Sequence, residues 1–547
     1  MKHILQFNPE QPLLFTHLFF WGFFAVCLLG YSFIYKVNKA RSIYLLLFSF
    51  FFYYKTNSVF ILLLMFTIVS DFCWGRMIHK STDAFKRKLF LICSVLLNLT
   101  LLCYFKYSYF FVSSSNELFG TSEPYFNGFA SFSNTFFGSD FRVDKLLTPI
   151  GVSFFTFQSL SYTIDVYRNK VKPVDSIFDY GFFVCFFPHL VAGPIVKAHE
   201  FLYQIYQPYS LTKFEFGMAG FWIMNGFGKK IVADYIAVNF IDRVFTSPHL
   251  YTGLEAVMAI FSYSLQVYMD FSGYTDIAIG IALLLGYRLK TNFKSPYKAL
   301  STSEFWKRWH ISLSSWLQEY LYVPLGGNRS GSIGSYVCII IISLFMVLLS
   351  GKLWLLFFLT GFFLLLVALA FAFPSVKQNI NTNINLMVTM LLGGLWHGSS
   401  WLFLIWGGLN GIGLIIHKFW QKISPFKDNT SIPIKIMLML ITLTFISFTR
   451  IYFRSPTMDI VNEIYDRIGN HFSLYLFGDI LIGYWSVLLV VLLGYLIHWI
   501  PETIKEKYRN AFANLPVPAM VAVCCIIIFL LYQIMSSEMQ PFIYFQF

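Results

Sequence analysis

Apolar runs close to the length of a bilayer crossing, parted by short loops that carry lysine and arginine, recur along almost the whole chain. About 20 consecutive apolar residues in a helix span the hydrocarbon core of a membrane. Leu13–Ile34, Leu89–Val112, Leu353–Phe373, Ile480–Ile500 and Pro518–Ser536 all read this way. Lipid offers no hydrogen-bond partners, so such runs must satisfy their backbone internally as helices. The expected fold is therefore an all-α polytopic membrane protein, with residues 1–547 forming one membrane domain. Composition agrees, because 57% hydrophobic and only 12% charged residues cannot cover a soluble fold of 547 residues. The net charge of +13 falls in the short loops, as cytoplasmic loops require. No basic stripe with stacking aromatics accompanies it, which excludes nucleic acid as a partner. The eight cysteines lie mostly in apolar runs without zinc-ligand spacing, so no metal site is expected.

The loop charges set an orientation. Leu13–Ile34 is too long for a signal-peptide core and ends at Lys36, Lys39 and Arg41, a cytoplasmic edge. Ser42–Tyr54 and Val59–Trp74 read as a hairpin, and the polar interval Ser113–Lys145 as an external loop. Phe178–Ile195 contains Pro188, His189 and Pro194 and reads as a re-entrant segment covered by protein, with His189 structural. The basic segment Lys505–Arg509 should be cytoplasmic, so the last helix runs outward and the C-terminus is external. No internal repeat of the transporter kind is present.

Two histidines stand out. The stretch Asn385–Trp401 places His397 in a long apolar run, where an ionisable side chain normally faces a cavity or pathway. Gly393 and Gly394 lie one turn earlier and are expected to leave a groove beside its ring, walled by Trp396 and Trp401. Lys377 before the stretch and Lys418 after it favour a bent hairpin with His397 deep in the membrane. The second histidine lies in Ser303–Tyr322, which reads as one amphipathic helix capped by Ser303. Trp306, His310, Leu313, Leu317 and Tyr320 share its stripe, beside Trp309. Lys307 and Arg308 lie to the side, suited to phosphates at the cytoplasmic face. An interfacial anchor helix accounts for the same pattern.

The carboxylates read as architecture. Asp165 is expected to pair with Arg168 at a helix end. Asp270 and Asp276 fall on different faces of an apolar helix and each needs a partner or cavity, Gln266 offering Asp270 a hydrogen bond.

Several longer motifs carry a resemblance. Thr148–Phe155, Phe187–Ile195, Asp270–Ala278, Asn292–Tyr297, Trp309-His310 and Gly393-Gly394-Leu395-Trp396-His397-Gly398 occur in this order. Together they resemble the membrane-bound O-acyltransferase (MBOAT) family, most closely its bacterial polysaccharide branch, typified by the alginate O-acetyltransferase membrane subunit. The family-like core covers residues 148–411. The resemblance implies a bundle of about 11–13 transmembrane helices with re-entrant and interfacial helices around a tunnel. His397 would be the general base, and His310 would orient donor or acceptor. The donor would be acetyl-CoA or another acyl thioester, including one on an acyl-carrier protein, with no permanently bound cofactor. A periplasmic acyltransferase acting on an exported polysaccharide would be the partner, in a bacterial inner membrane. One position departs from the pattern: Asn410, in Trp406-Gly407-Gly408-Leu409-Asn410-Gly411, stands where relatives often carry histidine. Amide nitrogen is no base, so Asn410 is a tunnel-lining candidate only.

The C-terminal tail, residues 537–547, ends Phe542-Ile543-Tyr544-Phe545-Gln546-Phe547. It resembles the ending of the small partner peptide of teichoic-acid D-alanylation, which implies a tail folded into the tunnel with Tyr544 as an acyl relay. An interfacial aromatic anchor is the competing reading. Carrier-protein-dependent acylation of another envelope polymer and proton-coupled transport are the alternative functions.

Overall fold

A computed structural model describes residues 7, 12–145, 148–350, 353–426, 431–534 and 542–543. Among these the chain is helical throughout and has no strand. The all-helical membrane fold expected from the sequence is the one adopted. Among the described residues, six helical runs are long and apolar enough to cross a membrane, or eight if each of two bent helix pairs is one span. That is fewer than the 11–13 expected, for a physical reason. Several helices are short, such as Leu18–Ile34 with 17 residues, and others are too polar along their length.

Nine of the described helices build the site: α1 (Ala84–Phe119), α2 (Val152–Tyr167), α3 (Lys213–Ile236), α4 (Gly253–Leu284), α5 (Thr302–Arg308), α6 (Ile311–Leu317), α7 (Pro374–His397), α8 (Trp401–Ile423) and α9 (Ile432–Arg454). Helix α1 starts on the Asp83 cap and runs 36 residues to Gly120, whose φ of 63° ends it. It therefore takes in the start of the expected external loop, which holds a further helix, Gly128–Phe137. The expected hairpin is formed by Asn38–Asn57 and Ile61–Lys80, joined by a 3-10 turn in which Ser58 has φ 52°. The segment read as re-entrant breaks after Cys185, and residues 186–195 are buried. Its exposed backbone is thus covered by protein, and the His189 ring is bonded to the Phe183 carbonyl at 2.9 Å.

Helices α3 and α4 each begin with a reciprocal capping box, Thr212 with Glu215 and Thr252 with Glu255. They then pack backbone to backbone. A Cβ on Gly226 would meet the Gly273 carbonyl at 2.5 Å, and one on Gly273 would meet the Gly226 carbonyl at 2.8 Å. Small residues permit this approach in membrane bundles. The seam brings Lys229 to Asp276 at 2.6 Å and Lys230 to Asp270 at 2.7 Å. The two carboxylates of α4 thus face different lysines of α3.

On the far side of α2, Asp165 accepts from the Tyr320 hydroxyl at 2.9 Å and meets His199 at 2.8 Å. The expected pair with Arg168 does not form. Arg168 instead donates to the Glu319 carbonyl and lies over the Tyr320 ring. Glu319 pairs with Lys170 at 2.5 Å and Lys197 at 2.7 Å. Asp165, His199 and Glu319 offer oxygen and nitrogen atoms within 4.8 Å of one another, but the two lysine ammoniums already neutralise Glu319.

Candidate active site

Helices α7 and α8 form a hairpin whose turn, Gly398 to Ser400, directly follows His397. The two legs close through Gly394 and Gly407. A Cβ on Gly394 would sit 2.3 Å from the Phe403 carbonyl, and one on Gly407 would sit 2.4 Å from the Met390 carbonyl. Gly394 is therefore a packing position and not part of the expected groove. Gly393 points the other way, where its nearest neighbour is the flexible Leu317 Cδ1 at 3.3 Å. It does line the cavity that reaches His397.

The hairpin tip is held from below the motif region. Lys106, buried in α1, donates to the carbonyls of Trp396 at 2.5 Å and His397 at 3.2 Å. A cation suits the carbonyl-rich end of a helix. Tyr107 adds a bond to the Leu395 carbonyl. A lone lysine inside the apolar run Leu89–Val112 was the available sequence signal for this residue.

Ser303–Tyr322 is not one helix. The cap is Ser301, whose hydroxyl accepts from the Glu304 amide, and α5 stops at Arg308. His310 then adopts φ 44° and ψ 54° before α6 begins. A left-handed non-glycine residue is strained and persists only where its surroundings impose it. Asn292 supplies the constraint. Its Oδ1 accepts from the Ser312 amide and hydroxyl, both at 3.0 Å, while its carbonyl accepts from the Ile311 amide at 2.9 Å. The same Oδ1 faces His310 Nδ1 at 3.3 Å. The Ser312 amide proton identifies this atom as the carbonyl oxygen, which carries no proton and can only accept, so Nδ1 donates and Nε2 is the acceptor nitrogen of that ring.

The turn and the hairpin tip bring the two histidines together. Both are buried, and their ring centroids are 6.4 Å apart. His397 is boxed by Trp396 at 5.0 Å, Trp406 at 5.1 Å and Phe453 of α9 at 5.2 Å. His310 leans on Phe271 of α4 at 4.7 Å. From His397 a cavity of about 510 Å³ follows the α7–α8 groove past Gly393 and Trp306 to Lys307, His417 and Lys418. A cavity of about 620 Å³ lies beyond Asn292, lined by Lys229, Asp276, His498 and Lys505. His397 lines the smaller cavity, His310 lines neither, and its partner Asn292 lines the larger one.

Other candidates fall outside the chamber. Arg308 is bound to Glu304 at 2.7 Å and to the Lys294 carbonyl. Trp309 is stacked on Phe305 beneath the Arg450 guanidinium, 4.3 Å away. Trp401 packs on Phe110 at the start of α8, and Asn410 donates to the Trp406 carbonyl within its own helix. Asp270 binds Lys230 and the Ile543 amide, so its partners are not Gln266. Tyr544 lies outside the described residues. Phe542 and Ile543 are described and buried, and Ile543 belongs to the apolar cluster that includes Trp309, Trp406 and Phe453.

Comparison with known proteins identifies relatives of the chain. The chain is 32% identical over 473 residues to a peptidoglycan O-acetyltransferase of Helicobacter pylori, covering 81% of the chain and 77% of that protein. It is 35% identical over 387 residues to the probable alginate O-acetylase AlgI of Pseudomonas aeruginosa, covering 70% of the chain and 61% of that protein. A teichoic acid D-alanyltransferase of Streptococcus thermophilus is 24% identical over 51% of the chain and 59% of its own length. The profile of the MBOAT, membrane-bound O-acyltransferase family matches residues 95–373, a span that includes Lys106, Asn292 and His310. The family profile over half of the chain and relatives named as acyltransferases make this multi-pass helical protein an acyltransferase, and the chain belongs to the membrane-bound O-acyltransferase family.

Proposed function

We propose that this protein takes an acyl group, in the first instance acetyl, from a cytoplasmic thioester and moves it through the membrane for O-acetylation of an exported or cell-surface polysaccharide. The observation that carries the reading is the cavity joining His397 to a mouth lined by Lys307, His417 and Lys418. Positive charge at a cytoplasmic edge suits the phosphates of acetyl-CoA, and suits an acidic carrier protein equally. The apolar walls around His397 keep water from the thioester.

Neutral His397 accepts the proton of an acceptor hydroxyl as that oxygen attacks the thioester carbonyl. The C–S bond breaks, and the departing thiolate takes the proton back from the imidazolium. An ester and a free thiol result, and the ring returns to its neutral form. His310, with its ring 6.4 Å from that of His397, orients the reacting groups. Tyr544 is the first hydroxyl to be acylated, and a periplasmic acyltransferase carries the group on to sugar in a bacterial inner membrane with the C-terminus external. Support for the relay comes from Ile543, which is held by Asp270 one residue from the Phe271 ring that packs on His310.

The test is mass spectrometry of purified protein incubated with isotope-labelled acetyl-CoA. Label on Tyr544 of the wild type, lost in Tyr544→Phe and reduced at least about 100-fold in His397→Ala, is the expected result. Polymer acetylation without label on the tail removes the relay. Labelling only from an acyl-carrier thioester transfers the donor role to the carrier protein.

A further inference from the structure

The histidine chemistry makes no use of a buried charge cluster between α3 and α4. Lys230 is 1% exposed, and its ammonium meets Asp234 and Asp270 at 2.7 Å each. The ammonium thus bridges a carboxylate of α3 and one of α4 in an apolar setting, where buried charges need pairing. One oxygen of Asp270 is committed to Lys230. The other accepts the backbone N–H of Ile543 at 2.7 Å. The residue before it, Phe542, lies with its ring 4.7 Å from the same ammonium and edge-on to Tyr274 at 4.9 Å. Tyr274 in turn stacks on Phe15. Phe542 and Ile543 are 1% and 6% exposed.

We infer that Lys230, Asp234 and Asp270 form a docking latch for the C-terminal tail, a site that grips the main chain at Ile543 and the ring of Phe542. A carboxylate accepting an amide proton makes a charge-assisted bond, stronger than one between neutral groups. Its geometry depends on the presence of an N–H and not on the side chain at 543. The aromatic ring at 542 adds a cation–π contact that fixes the register. The latch therefore sets which tail residue follows into the histidine chamber. Because the Asp270 oxygen loses a buried partner when the tail leaves, the docked state is favoured. Asp270 and Lys230 are positioning residues and touch no reacting atom. The inference concerns where the tail is held, and the relay reading supplies only the reason for holding it there.

The experiment measures access to the tail in the full-length protein in lipid nanodiscs. Carboxypeptidase trimming of positions 545–547, which stops short of the bond that a proline at 543 would block, is followed by intact mass spectrometry for wild type, Ile543→Pro, Ile543→Val and Asp270→Asn. Proline deletes the N–H and leaves the ion cluster whole, whereas valine keeps the N–H. Trimming of Ile543→Pro should be about tenfold faster or more than wild type, with Ile543→Val unchanged and Asp270→Asn in between. Unaltered protection in Ile543→Pro overturns the latch, even if Asp270→Asn proves poorly folded. A loosened tail that still carries acyl label separates the latch from the relay. A protected tail without label sinks the relay and keeps the latch.

Discussion

Gly394 and Gly407 meet so closely that a Cβ on either would lie 3.1 Å from the other's Cα. This contact closes the α7–α8 hairpin and presses Trp406 edge-on to His397. Gly393, one position earlier, faces the cavity instead. Two adjacent glycines thus serve different ends.

Their substitution should separate folding from access. Gly407→Ala forces a methyl against the Met390 carbonyl at 2.4 Å, backbone that cannot swing aside. We expect a loss of about 1–3 kcal/mol, read as a lower unfolding midpoint in detergent. The Cβ of Gly393→Val meets only the end of the Leu317 side chain, and its methyls extend into the cavity that Gly393 lines. Its midpoint should stay within about 0.5 kcal/mol of wild type, while KM for the acyl donor rises because the groove narrows. Equal loss of stability in both variants would contradict this division.

Asn292 should matter beyond its bonds. Asn292→Leu removes the acceptor of the Ser312 amide, the Ser312 hydroxyl and His310 Nδ1 together. The expected cost is about 1–3 kcal/mol of stability, but activity should fall further, by about 100-fold. The reason is that the left-handed turn no longer holds His310 toward His397. Asn292→Asp keeps an acceptor and should recover part of the rate. Acetylation assays at matched protein level, beside thermal unfolding, decide the matter.

The Glu319 cluster predicts a pH dependence. Burial raises its carboxyl, but the adjoining Lys170 and Lys197 outweigh that and hold it at about 2, below the ordinary 4.5. A depressed carboxylate stabilises the fold fully above its unfolded value and loses that contribution as pH falls through the folded one. Glu319→Gln should therefore be less stable than wild type by about 1 kcal/mol at pH 7, a figure reduced for its partial exposure. The gap should persist to about pH 5 and close between about 4.5 and 2. Unfolding midpoints for both proteins across this range give the answer. A gap that widens with acid would show that the lysines are not the cause.

The helical membrane fold was legible because apolar runs of bilayer length admit few alternatives. His397 was legible for the same reason, as an ionisable group in apolar surroundings. Other parts of the site arise from contacts that no local window contains. Lys106 reaches the Trp396 carbonyl across 290 residues of chain, and Asn292 reaches His310 across 18. The break at His310 was hidden because the stripe from Trp306 to Tyr320 keeps helical spacing through it. Only the Asn292 network, acting on the backbone, overrides that pattern. Asp270 and Asp276 were recognised as needing partners, yet the partners were set by the glycine seam of α3 and α4. Gly226 lies four residues before Lys230 and Gly273 three residues after Asp270, so the seam fixes which lysine faces which carboxylate.

Lys106 holds the hairpin tip through main-chain carbonyls alone. The tip that carries His397 is therefore fastened by a residue upstream of the motif-bearing region 148–411. That region is not a self-sufficient module. A transplant of its two histidines into another bundle brings the imidazoles but leaves their support behind, so the smallest portable unit of this enzyme begins before Lys106.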